Sequence, residues 1–332
     1  MKFSRRAVLS VAAAAGAAAT ASACGLTADD GSGSGGPLTG LRIMVPNSPG
    51  GGYDTTARSI ARVMEDEGIA KAIEVFNLEG AGGTVGLQRT VSESGNGDLA
   101  MQMGLGVVGA SYTQASEARL TDTTAIAKLV EESGAIVVPT ASPFETIDDL
   151  VAAWAEDLDG VTVGGGSSPG GPDHLLPMQL AGAVGIDPTK VNYVSYDGGG
   201  ELLPALLGDK VSFGASGVGE FIDQINAGQL RVLAVSGAER VDLVPDAPTL
   251  VESGIELEFT NWRGWVAPPG IEDADRQKWI DALTDMHESD AWQEELEKQG
   301  WTDAFITGDD FGDFLTEQDQ MVADVLAELG LA

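Results

Sequence analysis

Apolar residues recur along this chain with two periods, and the switching between them predicts the elements. Short runs rich in β-branched residues at 41–45, 73–76, 135–138, 161–163, 191–194, 211–213 and 230–235 have the length and composition of buried strands. Between the first two, Ala57, Ile60, Ala61 and Met64 fall on one helical face while Arg58, Arg62 and Glu65 point elsewhere. Near the C-terminus, Trp279, Leu283 and Met286 form another helical stripe, Gly300 has the position of a helix terminator, and Phe311, Leu315, Val322 and Leu326 predict a last helix. Apolar stripes at helical spacing are read as core. Strands alternating with helices predict an α/β fold, and a body of about 295 residues predicts two domains.

The first 23 residues depart from this pattern. Basic Lys2, Arg5 and Arg6 precede an Ala-rich apolar run, the order of a secretory signal. Arg5-Arg6 followed by Val8-Leu9 fits a twin-arginine export signal better than two ordinary basic residues. Ala21-Ser22-Ala23-Cys24 resembles a bacterial lipobox, with Cys24 as the acylated new N-terminus, and residues 24–39 read as that lipidated residue and a flexible Gly/Ser/Asp tether. Cys24 is the one cysteine of the chain, which excludes a disulfide within it. No later run approaches the roughly 18 apolar residues of a spanning helix, so membrane attachment is expected through the lipid alone, on the outer face of the cell membrane or in a periplasm.

Charge narrows the function. With 51 acidic against 18 basic residues the formal net charge is −33, which excludes nucleic acid as a partner. Two histidines and one cysteine give no soft-metal ligand set, Asp157-Leu158-Asp159-Gly160 lacks the later acidic ligands of a calcium loop, and no glycine run continues as a Walker loop, so neither metal nor cofactor is expected. Four glycine runs instead carry the functional signal: Pro49-Gly50-Gly51-Gly52-Tyr53-Asp54, Gly80-Ala81-Gly82-Gly83-Thr84, Gly164-Gly165-Gly166-Ser167-Ser168-Pro169-Gly170-Gly171 and Asp197-Gly198-Gly199-Gly200. Each lies between a predicted strand and a predicted helix. Helix N-termini converging on a cleft would bind a carboxylate through backbone N–H groups, with no lysine or arginine. The alternative, a set of ordinary tight turns, fits one such run better than it fits four.

Two motifs point to other chemistry. Gly166-Ser167-Ser168-Pro169-Gly170 has the form of a nucleophile elbow, with Ser168 as a candidate hydrolase nucleophile and His174 or His287 as partner. The residue after the nucleophile must lend its N–H to the oxyanion hole, and Pro169 has none. Gly104-Leu105-Gly106-Val107-Val108-Gly109 matches a dinucleotide fingerprint, but alone it is a weak signal. The chain is therefore not expected to be an enzyme.

The motif Val45-Pro46-Asn47-Ser48-Pro49-Gly50-Gly51-Gly52-Tyr53-Asp54 resembles the opening segment of the substrate-binding proteins of tripartite tricarboxylate transporters, the TctC-like or Bug family. The resemblance continues through the second glycine run, Tyr196-Asp197-Gly198-Gly199-Gly200 with Leu206-Leu207-Gly208, the segment 227–236, and Trp262-Arg263-Gly264-Trp265-Val266-Ala267-Pro268-Pro269-Gly270. It implies a type II periplasmic-binding-protein fold, with lobe 1 at residues 40–138 plus 263–332, lobe 2 at 139–262, and a ligand cleft between them. It also implies capture of a small organic carboxylate, of the di- or tricarboxylate class, and delivery to the membrane subunits of a secondary transporter. Carried over by position, the ligand-binding residues would be Ser48, Gly51, Tyr53 and Asp54, then Gly82, Gly83 and Thr84, opposite Ser167, Ser168, Gly171 and His174, with Tyr196, Gly198 and Gly199. Asp54 could equally cap its helix and His174 could equally pack. Asp197 stands where relatives often carry a basic residue, which points to a less negative ligand than citrate. A sensor that signals to a membrane partner would use the same cleft.

Overall fold

The computed structural model describes residues 36–196 and 198–331. The expected signal segment, Cys24 and all but the last residues of the tether lie outside them. In chain order the elements are β1 (Leu38–Thr39), β2 (Arg42–Val45), α1 (Gly52–Asp66), β3 (Ala70–Lys71), β4 (Glu74–Asn77), α2 (Thr84–Ser92), β5 (Leu99–Gly104), α3 (Leu105–Thr113), β6 (Thr124–Pro139), α4 (Ile147–Glu156), β7 (Thr162–Gly165), α5 (Pro172–Ala183), β8 (Asn192–Ser195), α6 (Gly199–Leu207), β9 (Phe213–Gly217), α7 (Ile222–Asn226), β10 (Leu230–Val235), β11 (Thr260–Ala267), α8 (Asp273–His287), α9 (Asp290–Gln299), β12 (Thr302–Thr307) and α10 (Gly308–Glu328). Leu38–Thr39, expected as the end of the tether, instead pairs in parallel with Ala70–Lys71. The backbone N–H and C=O groups of β3 provide the ladder that fixes it.

One long strand organises the molecule. Residues 124–133 of β6 pair with β11, and its first half also pairs with β12, whereas residues 134–139 pair with β9 and β10. The sheet therefore has two sectors joined through β6. In the first, β2 runs parallel to β4 and β5, and β11 ties β5 to β6. In the second, β7 runs parallel to β8 and β9. The core follows the predicted faces. Ile60, Val63 and Met64 of α1 pack with Trp265, Trp279, Leu283 and Trp292, all fully buried. Phe311, Leu315, Val322 and Leu326 of α10 join a second cluster that runs through α3 to Leu175, Leu176 and Phe213 of the other sector. At roughly 1.5–3 kcal/mol for each large apolar side chain buried, these faces hold the helices on the sheet. Gly300 ends α9 in the left-handed region at φ 67°, as its position predicted.

Register decides where the strand ends point. Gly104, the last residue of β5, lies opposite Arg263, which lies opposite Val130 of β6. Gly217, the last residue of β9, lies opposite Gly134. The carboxyl ends of the two parallel strand sets thus approach residues 131–134 of β6 from opposite directions. In open α/β sheets ligands bind beyond the carboxyl ends of strands, and here both sets of ends face one locus.

Candidate ligand-binding cleft

Each glycine run does lie between a strand and a helix. The first joins β2 to α1, the second β4 to α2, the third β7 to α5 and the fourth β8 to α6. A fifth junction, marked in the sequence only by a weak dinucleotide fingerprint, is at Gly104 and Gly106, where β5 turns directly into α3.

In the first sector, Ser48 is exposed and its carbonyl accepts from Gly51 N–H, the residue that opens α1. Tyr53 projects from the first turn of α1, and its hydroxyl accepts from Gly106 N–H at 3.1 Å. Burial pushes the Tyr53 phenol up to about 12, against the opposing charge of Arg263. The phenol therefore keeps its proton, which remains available for donation. Gly106 reaches toward the other sector: a Cβ there would lie 3.1 Å from the Tyr53 oxygen and 3.7 Å from Cδ of Pro172, the first residue of α5. Asp54 is committed to local structure. It accepts from Gly50 N–H at 2.8 Å, from Arg58 Nε at 2.9 Å and from Asn77 Nδ2 at 2.9 Å. Burial raises its carboxyl, but those donors outweigh it and the net shift is downward. Gly82 and Gly83 pack onto α3, where a Cβ would sit 2.7 Å from Ala110 Cβ and 2.8 Å from Val107 Cγ2, and both have positive φ, at 66° and 97°. Thr84 is buried and donates to Ala81 O at 3.0 Å.

In the second sector, Ser168 is exposed and its carbonyl accepts from Gly171 N–H at 2.8 Å. Ser167 Oγ accepts from Asp173 N–H at 3.0 Å, satisfying one free amide of the α5 start, while its carbonyl accepts from Tyr193 Oη at 2.7 Å. His174 is buried, stacks edge-on against Tyr193 and accepts from Gly170 N–H through Nδ1 at 3.2 Å. Desolvation pushes its imidazole down to about 4, so it is neutral at pH 7. That nitrogen serves the loop, and Ser168 gains no general base from it. Tyr196 N–H donates to Gly165 O, and Gly198 N–H to Gly166 O, which clamps the fourth glycine run onto the third.

Charged side chains supply what the sequence reading missed. The sequence calls for no lysine or arginine in the anion site, only N–H and hydroxyl donors, yet Arg263 of β11 lies against the start of α1: a Cβ on Gly52 would meet its Nη2 at 2.8 Å. Arg263 is buried and pairs with buried Glu132 of β6, and its Nε has no acceptor among the described residues. Facing them from the second sector are Asp173 and Glu220. Ser216 Oγ donates to Asp173 at 3.1 Å, and Glu220 Oε2 accepts from Gly199 N–H at 2.7 Å. Burial and then the Glu220 charge push the Asp173 carboxyl well up; burial and then the Glu132 charge push Glu220 up. Glu220 keeps part of its side chain accessible although protein surrounds its carboxylate, the situation of a side chain on a cleft wall. Among the described residues no cluster of His, Cys, Asp and Glu has metal-binding geometry, and no helix is long and apolar enough to cross a membrane.

This fold and this convergence of glycine loops are those of an α/β solute-binding protein. The profile of the tripartite tricarboxylate transporter family receptor matches residues 56–331, and the chain belongs to that family. BugT of Bordetella pertussis is 26% identical over 304 residues, covering 89% of this chain and 90% of its own. MatC from Rhodopseudomonas palustris, solved with bound malate, superposes with a TM-score of 0.74 at 22% identity, over 87% of this chain and 99% of that one. An R. palustris structure with adipate superposes with a TM-score of 0.78 at 19% identity, over 89% and 98%.

Proposed function

We propose that this protein is an extracytoplasmic receptor that captures a small organic carboxylate between the two sectors of its sheet and hands it to the membrane subunits of a tripartite tricarboxylate-type transporter. Its Cys24 would carry the lipid that holds it at the membrane, behind a cleaved signal. The observation that carries the reading is the placement of Arg263 against the N-terminus of α1, beside the Tyr53 hydroxyl. Two sources of positive potential, a guanidinium and a helix end, are adjacent there and are balanced within the chain by Glu132. A ligand carboxylate at that end would collect Arg263, the free amides of the first helical turn and the Tyr53 proton. Malate and adipate in the related folds are both carboxylates.

The mechanism is closure without bond chemistry. The second-sector loops, from Ser168 to Gly171 and around Gly198, move against the first as the two sectors turn about β6 and β11, and a ligand touching both stabilises the closed population. The test is thermal unfolding of the body from Pro37 onward against mono-, di- and tricarboxylates and amino acids. A ligand at 100 times its Kd stabilises by roughly 2.7 kcal/mol, and the expected result is a raised midpoint with one structural group of acids. Arg263→Met should abolish that rise, and a panel in which no carboxylate moves the midpoint overturns the reading.

A further inference from the structure

The two walls of the cleft carry different charged groups, the Arg263–Glu132 pair on the first and two carboxyls on the second. On the first stand the α1 N-terminus and Arg263; on the second stand Asp173 and Glu220, bridged by Ser216. The α6 N-terminus, which the glycine pattern offers to a ligand carboxylate, already holds one from the chain itself. Glu220 Oε2 lies 2.7 Å from Gly199 N, and a Cβ on Gly199 would lie 2.3 Å from that oxygen, so a side chain there would push Glu220 off the amide. Gly166 N–H, in the neighbouring loop, is likewise directed to Asp173. A second ligand carboxylate on this wall would have to displace Glu220 from its amide while facing Asp173 and Glu132, at a cost in repulsion that the freed N–H does not offset.

We propose that Glu220 is the specificity-determining residue of the cleft and that it restricts the ligand to a single carboxylate, held on the first wall, with a hydrogen-bond donor such as a primary amide or an ammonium group at the end that meets Glu220 and Asp173. The inference rests on the carboxylate reading above and sharpens it from acids in general to amide- or amine-bearing monocarboxylates. Amide and acid differ little in shape, so matched pairs isolate the charge: succinamate against succinate, and adipamate against adipate.

The experiment is calorimetric titration of both pairs into the wild-type body and into Glu220→Ser and Glu220→Gln, with the unfolding midpoint of each free protein checking that it is folded. Wild type should bind at least one monoamide about tenfold more tightly than its diacid, since a charge-assisted contact is worth that factor or more. Glu220→Ser, which empties the α6 start, should reverse the order. Glu220→Gln, which keeps an acceptor on Gly199 and removes the charge, should bring the pair to within about threefold. A wild type that prefers the diacid, or a ratio that Glu220→Ser leaves unchanged, overturns the assignment while leaving carboxylate capture standing. Failure of any acid or amide to bind any of the three proteins overturns both.

Discussion

Individual side chains in the cleft bury charged or titratable groups, and each has a measurable consequence. Arg263 and Glu132 are buried together at the crossing of β11 and β6. Removing one partner of a buried pair leaves the other uncompensated, so Arg263→Met should cost about 3–5 kcal/mol in denaturant unfolding. The double variant Arg263→Met with Glu132→Gln should recover most of that loss. His174 offers a second test. Its folded pKa of about 4 lies below the ordinary value of 6.5, so between those values the unfolded chain binds the proton that the folded chain refuses. Stability should therefore fall as pH drops from 6.5 toward 4, by up to about 3 kcal/mol at 1.36 kcal/mol per unit. An imidazole resonance that titrates near 4 in the folded protein would confirm the cause.

At the scale of elements, the contact between α3 and the third glycine loop joins the two sectors. A Cβ on Gly109 would lie 1.7 Å from the carbonyl oxygen of Gly170, and Gly170, at φ 89°, approaches Thr113 of the same helix. Helix propensity alone predicts that alanine at position 109 stabilises α3 by about 1 kcal/mol. Backbone contact reverses the sign. Gly109→Ala should lower the unfolding midpoint and weaken ligand binding, because α3 must withdraw from the loop that places Ser168 and Gly171. The contrasting control is Gly200→Ala: Gly200 is helical in α6 and has open space around its Cβ position, so the unfolding midpoint should hold or rise.

For the whole molecule, the pH profile of stability is set by opposing groups of carboxyls. Asp173 and Glu220 have raised folded pKa values, so the folded state takes up their protons at a higher pH than the unfolded chain does, and stability rises as pH falls through those values. Asp54 and Glu295 behave oppositely. Burial pushes Glu295 up, but Ser59, Gln299 and Lys298 and the charge of Arg62 outweigh it and hold it at about 2; acidification through the ordinary carboxyl range toward that value removes what those contacts contribute. Acidification therefore sets the gain at Asp173 and Glu220 against the loss at Asp54, Glu295 and His174. The pair of changes Asp173→Asn and Glu220→Gln should remove that gain, so that the double variant loses more stability than wild type on acidification, read by thermal unfolding at fixed ionic strength.

Much of the fold was legible because it is local. Strand and helix alternation follows from side-chain period, the glycine runs follow from the turn each strand must make into its helix, and the α8 and α10 stripes followed from spacing. The strands that the sequence hid are those whose polar residues are compensated from far away. Residues 124–133 of β6 carry Lys128, Glu131 and Glu132 and β11 carries Arg263, charges that break the apolar run of a buried strand and are compensated only when Arg263 meets Glu132, 131 residues earlier in the chain, and Lys128 meets Glu131 and the Phe314 ring. Leu99–Gly104 lacks the β-branched residues that mark a strand, and its burial in the sheet decides it. The sequence by itself determined the α/β order, the strand-to-helix glycine junctions and the family. Only the tertiary structure decided which amides of those junctions stay free for a ligand. Asp54, Asp173 and Glu220 reach their glycine amides through loop and sheet geometry, and a glycine motif cannot announce that a carboxylate of its own chain, up to 21 residues away, is already seated on it.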